Sequence, residues 1–210
     1  MNSFSLVGRM GTTRDRLRSA THAKVLAAAD ALFLEQGFAA TTVRDIAASA
    51  GVSVGTVMAV GDKSGLLVAI FDRLIEQVHL ARRGSVTEPP SATGVPCAAR
   101  VMSLLTPFLD LFTTRPGLAR AYASILVAGN HSSTVFTELS TTLVDEIRDV
   151  LEAGGRPGTR DPTSLATAIY FAYVGALFGW AAGPDDEATT ISDRLCDTIT
   201  TICSSEDHSS

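Results

Sequence analysis

Residues 41–63 read TTVRDIAASAGVSVGTVMAVGDK, and the spacing of their apolar side chains decides the fold. Val43, Ile46, Ala47 and Ala50 recur at i, i+3, i+4 and i+7, which places them on one buried face of a helix. Thr41 or Thr42 supplies a hydroxyl to cap the free amides at its start. Gly51 ends it, because glycine adopts the left-handed conformation that reverses a chain without steric cost. Ser53 then caps a second short helix over residues 54–60. Two short helices joined by Gly51-Val52-Ser53 make a helix-turn-helix, in which Val52 plugs the gap between them and Ser53 offers a hydroxyl and a helix N-terminus to a phosphate. In such a motif the first helix braces against a nucleic-acid backbone and the second enters a major groove.

Upstream, Val25, Ala29, Leu32 and Phe33 form a further helical stripe over residues 18–36, with Gly37 as its left-handed cap. Downstream, Lys63 and Ser64 open a fourth helix striped by Leu67, Ile70, Phe71, Leu74 and Val78. No run of period two appears, so this region is all helix. A helical hairpin that only packs is the alternative reading; the preceding helix and the charge balance of this end favour nucleic-acid binding. The 210-residue chain carries a net charge of −5, yet residues 1–83 hold ten Lys/Arg against seven Asp/Glu and residues 84–210 hold seven against fifteen. A basic head on an acidic body directs only the head toward a polyanion.

Composition excludes several classes. At 46% hydrophobic and 19% charged the chain is neither disordered nor collagen-like. Three cysteines, Cys97, Cys196 and Cys203, make no disulfide framework and no metal-ligand spacing, so a reducing cytoplasm and no metal or cofactor are expected. The first residues lack the apolar core of a signal peptide, which places the mature start near Met1. Gly84–Pro96 (GSVTEPPSATGVP) reads as a linker or loop. Beyond it come five helical stretches, over residues 97–114, 116–129, 132–153, 162–182 and 187–203. Pro107 should kink the first, Pro116 starts the second, Gly154-Gly155 stops the third, Asp161-Pro162 caps the fourth and Asp185-Asp186-Glu187 favours the start of the fifth. We expect an all-α fold of about nine helices, divided into residues 1–63 as a DNA-binding domain and 64–210 as a helical bundle for ligand binding and dimerisation.

Val25-Leu26, Ala28-Ala29, Leu32-Phe33, Gly37-Phe38, Thr41-Thr42-Val43, Ile46-Ala47, Ala50-Gly51-Val52-Ser53 and Gly55-Thr56 together resemble the N-terminal signature of TetR-family transcriptional regulators. The resemblance implies a homodimer whose N-terminal three-helix domains bind a palindromic operator in double-stranded DNA, most often as a repressor, and whose C-terminal domain releases DNA when filled by a small molecule. Carried over by position, Thr41, Thr42 and Arg44 match the phosphate-contacting start of the family's second helix. Ser53, Val54, Gly55, Thr56, Met58 and Ala59 match its recognition helix, and Lys63 the lysine that opens the fourth helix. Two departures stand out: the family usually has an aromatic, most often tyrosine, at Met58, and another near Val60 or Gly61. The stretch to Lys63 is also one residue short. The recognition helix lacks Arg, Lys, Asn and Gln for bidentate base contacts. Sequence readout therefore leans on Arg44, thymine-methyl contacts, and Arg14, Arg16 or Arg18.

Gly51-Val52-Ser53-Val54-Gly55 satisfies the G-x-S-x-G pattern of hydrolases, but that chemistry needs a strand before the serine, and a helix precedes it here. The chain is not expected to be an enzyme; activity on model esters lost with Ser53→Ala would revive that reading. Asn130-His131-Ser132 is a glycosylation triplet by composition alone. Pro162 to Pro184 holds 23 uncharged residues, long enough for a membrane span. A helix apolar on all sides also suits the centre of a soluble domain, and no membrane contact is expected. Ala168, Ala172, Gly175 and Gly179 line a small-residue face of it, and with Ile191, Leu195, Thr198 and Ile202 of the last helix they are the expected dimer interface, an intersubunit four-helix bundle in the family's manner. The ligand, a hydrophobic or aromatic small molecule, is expected among Met102, Phe108, Phe112, Tyr122, Ile125, Phe136, Tyr173, Leu177 and Trp180. A module of the same fold that binds a ligand or protein partner with weakened DNA binding is the second reading.

Overall fold

A computed structural model of the chain describes residues 13–84, 95–133, 138–153, 161–183 and 188–204. Among these residues there are nine helices and no strand: α1 (Thr13–Ala40), α2 (Val43–Ala50), α3 (Val54–Val60), α4 (Lys63–Gly84), α5 (Cys97–Thr113), α6 (Pro116–Val127), α7 (Glu138–Glu152), α8 (Pro162–Ala182) and α9 (Ala188–Ser204). They divide into two compact units, Met1–Leu66 and Leu67–Ser210, and α4 begins in the first and continues in the second.

In the first unit α1, α2 and α3 pack on one another around Val25, Leu26, Ala29, Phe33, Ile46, Ala47, Ala50 and Val57, all buried. The α1 helix is described from Thr13, upstream of the expected start near Arg18; Thr13–Ala20 are exposed and no apolar stripe marks them in the sequence. Gly37 takes φ 84° and ψ 160°, a positive φ that glycine alone adopts freely; with ψ extended it is a break rather than the left-handed cap expected. Thr42, not Thr41, caps α2: its hydroxyl accepts from the Asp45 amide, and the Asp45 carboxylate accepts from the Thr42 amide at 2.9 Å, a reciprocal capping box. Those Thr42 hydrogen bonds hold the Asp45 carboxyl below its ordinary pKa. Gly51 sits at φ 59°, ψ 42°, the left-handed cap the sequence requires.

In the second unit α5 packs on α6, α7 and α9, and α8 on α6, α7 and α9. Its core runs through Val101, Leu105, Phe108, Leu109, Ile147, Ala166, Ile169, Leu195 and Ile199. The α5 helix continues through Pro107 to Thr113. Pro116 stands in the first turn of α6, and Asp161 caps α8 by accepting from the Ser164 amide at 2.9 Å. The α8 helix is long and apolar enough to cross a membrane, yet it packs on three helices and turns Ile169, Tyr170, Tyr173 and Trp180 into the unit. The third C-terminal stretch begins later than residue 132: Ser132 and Ser133 are not helical and α7 is described from Glu138. The loop 85–94, Gly154-Gly155 and Asp185-Asp186-Glu187 lie outside the described residues.

One expectation is corrected. Cys97, opening α5, and Cys203, near the end of α9, are joined as a disulfide with Cα atoms 6.3 Å apart, within bridging distance. A separation of 106 residues carries no local signal; the side-by-side packing of α5 and α9 creates the pair. Cys196 is free.

Candidate nucleic-acid interface and ligand cavity

The axes of α2 and α3 meet at 104°, within the range of a helix-turn-helix. Ser53 caps α3 by accepting from the Thr56 amide at 3.1 Å, and its hydroxyl lies 2.9 Å from that of Thr56. This local bonding, with a helix immediately before it, makes Ser53 a structural cap rather than the elbow of a hydrolase. Only Val57 of α3 is buried; Val54, Gly55, Met58 and Ala59 are exposed, with Val54 at 43% and Met58 at 51%. The helix anchors itself by one valine and presents a mostly apolar outer face, on which Met58 is a flexible side chain where a ring would be rigid. Arg44, on α2, is exposed, as are Arg14, Arg16 and Arg18 on α1.

Two residues carried over by position to the DNA-binding set, Thr41 and Lys63, have partners inside the domain. Thr41 is 1% exposed, and its hydroxyl donates to the Gly37 carbonyl at 2.8 Å while accepting from Gln36 Nε2 at 3.3 Å. Lys63 Nζ donates to the Phe38 carbonyl at 3.0 Å and the Ala39 carbonyl at 3.4 Å, and lies 4.4 Å from the centroid of the Phe38 ring. An ammonium at the carbonyl end of α1 satisfies acceptors that the helix leaves open. Thr42 is exposed beside Arg44, though its hydroxyl also donates to Asp45 at 2.7 Å.

The second unit contains an open apolar cavity walled by α4, α5, α6, α7 and α8. Of the nine residues expected to receive a ligand, Phe108, Phe112, Tyr122, Tyr173, Leu177 and Trp180 line it. Met102 and Ile125 do not, and Phe136 lies outside the described residues. Sequence reasoning missed Ile75 and His79 of α4, Ser140 and Leu143 of α7, and Tyr170 and Phe178 of α8. The α4 pair had a signal, since Phe71, Ile75 and His79 follow at intervals of four along one helix face.

Aromatic rings fix the cavity walls. Phe71 stacks on Tyr122 with centroids 4.5 Å apart and on Phe112 at 5.6 Å, and His79 packs on Phe108 at 4.7 Å. The Tyr122 hydroxyl lies 3.0 Å from that of Ser133, which donates to Asp72 of α4 at 2.6 Å. His79, 3% exposed, places Nδ1 3.1 Å from Glu146 Oε1, and Arg82 and Arg83 flank the same carboxylate at 3.7 and 3.8 Å. Burial pushes the phenols of Tyr122, Tyr170 and Tyr173 above their ordinary pKa, so the cavity keeps them neutral.

The residues expected at a dimer interface split into two sets. Ala168, Gly175 and Gly179 are exposed on α8 and Ala172 is half-buried; a Cβ at Gly175 or Gly179 would meet nothing within 4 Å. Ile191 and Leu195, at 3% and 1% exposure, belong to the protomer's own core together with Ile199, which the spacing 191, 195, 198, 202 passed over. Ile202 is half-buried. The stripe that α9 turns inward is thus 191, 195, 199, the i, i+4, i+8 line.

Comparison with known proteins agrees with this architecture. Residues 25–60 match the family model for bacterial regulatory proteins of the tetR family. An uncharacterized HTH-type transcriptional regulator of Mycobacterium tuberculosis is 29% identical over 175 residues, covering 81% of this chain and 75% of its own. Among solved structures, a TetR-family transcriptional regulator from Pectobacterium atrosepticum superposes with a TM-score of 0.64 at 23% identity, over 93% of this chain and 97% of that one. Thermus thermophilus FadR, a TetR-family transcriptional repressor solved in complex with lauroyl-CoA, gives 0.64 at 19% identity over 86% and 92%. At these identities the solved structures establish the shared fold, and the signature resides in residues 25–60. The chain thus shares the fold of TetR-family regulators and, over residues 25–60, matches the model of bacterial regulatory proteins of the tetR family.

Proposed function

We propose that the chain is a cytoplasmic, ligand-responsive transcriptional regulator, a repressor that binds a palindromic operator as a homodimer and leaves it when a small apolar or aromatic molecule fills the cavity of the second unit. The observation that carries the reading is the exposed face of α3 (Val54, Gly55, Met58 and Ala59), held at 104° to α2 by the buried Val57. In a dimer two such helices meet successive major grooves about 34 Å apart, so a small change in their spacing spoils the fit. Arg44 and Thr42 are the phosphate contacts of this reading, and Arg14, Arg16 and Arg18 reach the flanking groove or backbone. Thr41 and Lys63 support the domain from within. The exposed Ala168, Gly175 and Gly179 allow close approach of a twin α8 across the dimer axis, and Phe171, 65% exposed beside them, gains a cover there.

The coupling element is α4. It is one helix that starts at Lys63 in the first unit and carries Ile75 and His79 to the cavity wall. A ligand that binds one setting of α4 better than another shifts the population of DNA-competent dimers by that difference in affinity. The test is effector release: a duplex from upstream of the gene, shifted by the protein in a gel, should return to free DNA on adding a molecule that also changes the emission of Trp180, the single tryptophan and a cavity residue. Binding in the cavity that leaves the DNA complex intact at saturation would overturn the proposed coupling.

A further inference from the structure

We infer that the cavity of the second unit selects an uncharged aromatic molecule bearing a hydroxyl group, and that His79 is the residue that receives this hydroxyl. The inference rests on the reading of that cavity as the effector site and names the chemistry of its occupant.

The walls exclude charge. None of the cavity-lining residues is Asp, Glu, Lys or Arg. The burial of Tyr122, Tyr170 and Tyr173 favours the neutral form of every phenol there. A carboxylate or ammonium entering such a site loses its hydration with no partner to replace it. Rings are favoured instead: Phe108, Phe112, Tyr122, Tyr173, Phe178 and Trp180 surround the space and offer face and edge contacts.

The polar point is set by His79. Glu146 Oε1 lies 3.1 Å from Nδ1, and a carboxylate only accepts, so Nδ1–H is the donor of this bond. This bond fixes both the tautomer and the ring orientation, and leaves Nε2 as the ring nitrogen not committed to Glu146. Nε2 can pair with a hydroxyl, which accepts as well as donates. The Tyr122 hydroxyl is already turned to Ser133 at 3.0 Å, whereas the Trp180 Nε1–H in the same wall is buried without a hydrogen-bond partner. A hydroxyl, which both donates and accepts, can pair with such groups, and a ligand without one leaves them unpaired.

The experiment compares three isosteric probes on the full-length protein: 4-phenylphenol, biphenyl and biphenyl-4-carboxylate, each titrated by calorimetry and by Trp180 emission. The expected order is phenol tightest, the hydrocarbon about tenfold weaker and the carboxylate about a hundredfold weaker. In His79→Phe the phenol and the hydrocarbon should converge to within about threefold, while Glu146→Gln, which keeps an acceptor for Nδ1, should retain the preference. Should His79→Phe fail to fold, the wild-type order alone decides. Equal or tighter binding of the carboxylate, no preference for the hydroxyl, or no binding of any probe overturns the inference. A mobility-shift arm separates it from the functional reading: phenol binding with the DNA complex intact refutes effector release and leaves the ligand class standing, whereas release by the carboxylate alone refutes the ligand class and leaves the regulator standing.

Discussion

Replacing Lys63 by methionine separates two roles that position in the family motif merges. The side chain keeps its length and loses only its ammonium. In the structure that ammonium makes one good hydrogen bond to the Phe38 carbonyl at 3.0 Å, a longer one to the Ala39 carbonyl at 3.4 Å, and a face-on contact 4.4 Å from the Phe38 centroid. A hydrogen bond to a charged group contributes about 1.5–3 kcal/mol, and a half-exposed cation on a ring about 0.5–1 kcal/mol. Because Lys63 is half-buried and solvent competes for it, the lower end applies, about 2 kcal/mol of local stability in the first unit. At 1.4 kcal/mol per factor of ten this is roughly a thirtyfold loss of amide protection. Hydrogen exchange read by mass spectrometry on peptides from the end of α1 through α3 should show it. The salt dependence of DNA binding should not change, because a side chain bonded to α1 releases no counterion; a phosphate contact would lower the log–log slope by about 0.9. A slope reduced by that amount with exchange unaltered would refute the bracing role and make Lys63 a DNA contact.

Four further outcomes follow from the same geometry. Arg44→Ala should weaken operator binding and reduce the salt slope by about one contact, measured by titrating salt against the shifted complex; an unchanged slope and preference removes Arg44 from the interface. Gly51→Ala forces a side chain into φ 59° and should cost about 1–2 kcal/mol in the first unit, seen as faster exchange over α2 and α3, with no effect on cavity binding. Tyr122→Phe removes the bond to Ser133 but leaves Ser133 on Asp72, so a loss near 1 kcal/mol by denaturant titration is expected, and a change above 3 kcal/mol would mean that the ring stack had been disturbed as well. Reduction of the Cys97–Cys203 bond, or Cys203→Ser, opens a closure of 106 residues and should lower the stability of the second unit by up to about 4–5 kcal/mol. Identical melting with and without reductant, in protein prepared under oxidising conditions, would show that the pair is not bonded.

The capped segments were legible in the sequence because their signals are local. The α2 and α3 helices carry their apolar face, cap and glycine within two turns, and α8 is bracketed by Asp161-Pro162 and Gly183, so their limits can be read directly. The first turns of α1 could not be, since the exposed residues Thr13–Ala20 lack any periodic contrast. Roles that depend on a distant partner were likewise hidden. Thr41 and Lys63 align with the family's DNA-binding positions, and their bonds to Gly37 and Phe38 at the end of α1 emerge only in the fold. The aromatic residues of α5, α6 and α8 pointed to a cavity, but His79 had no place in it; only the fold brings Glu146, 67 residues away, to its ring. The inward line of α9 was shifted because Thr198 and Ile202 fit a heptad spacing as well as Ile199 fits a helical one.

The central claim is that the first unit binds DNA selectively, and it is tested most directly by a mobility shift of the full-length protein on DNA from upstream of its own gene, at two salt concentrations, against a scrambled duplex. The account predicts binding of one dimer to the specific duplex, weakened steeply by salt, with the scrambled duplex bound far more weakly at both concentrations. Equal binding to both duplexes, or none at low salt, would contradict it and leave a TetR-fold module whose exposed Met58 face no longer reads a groove.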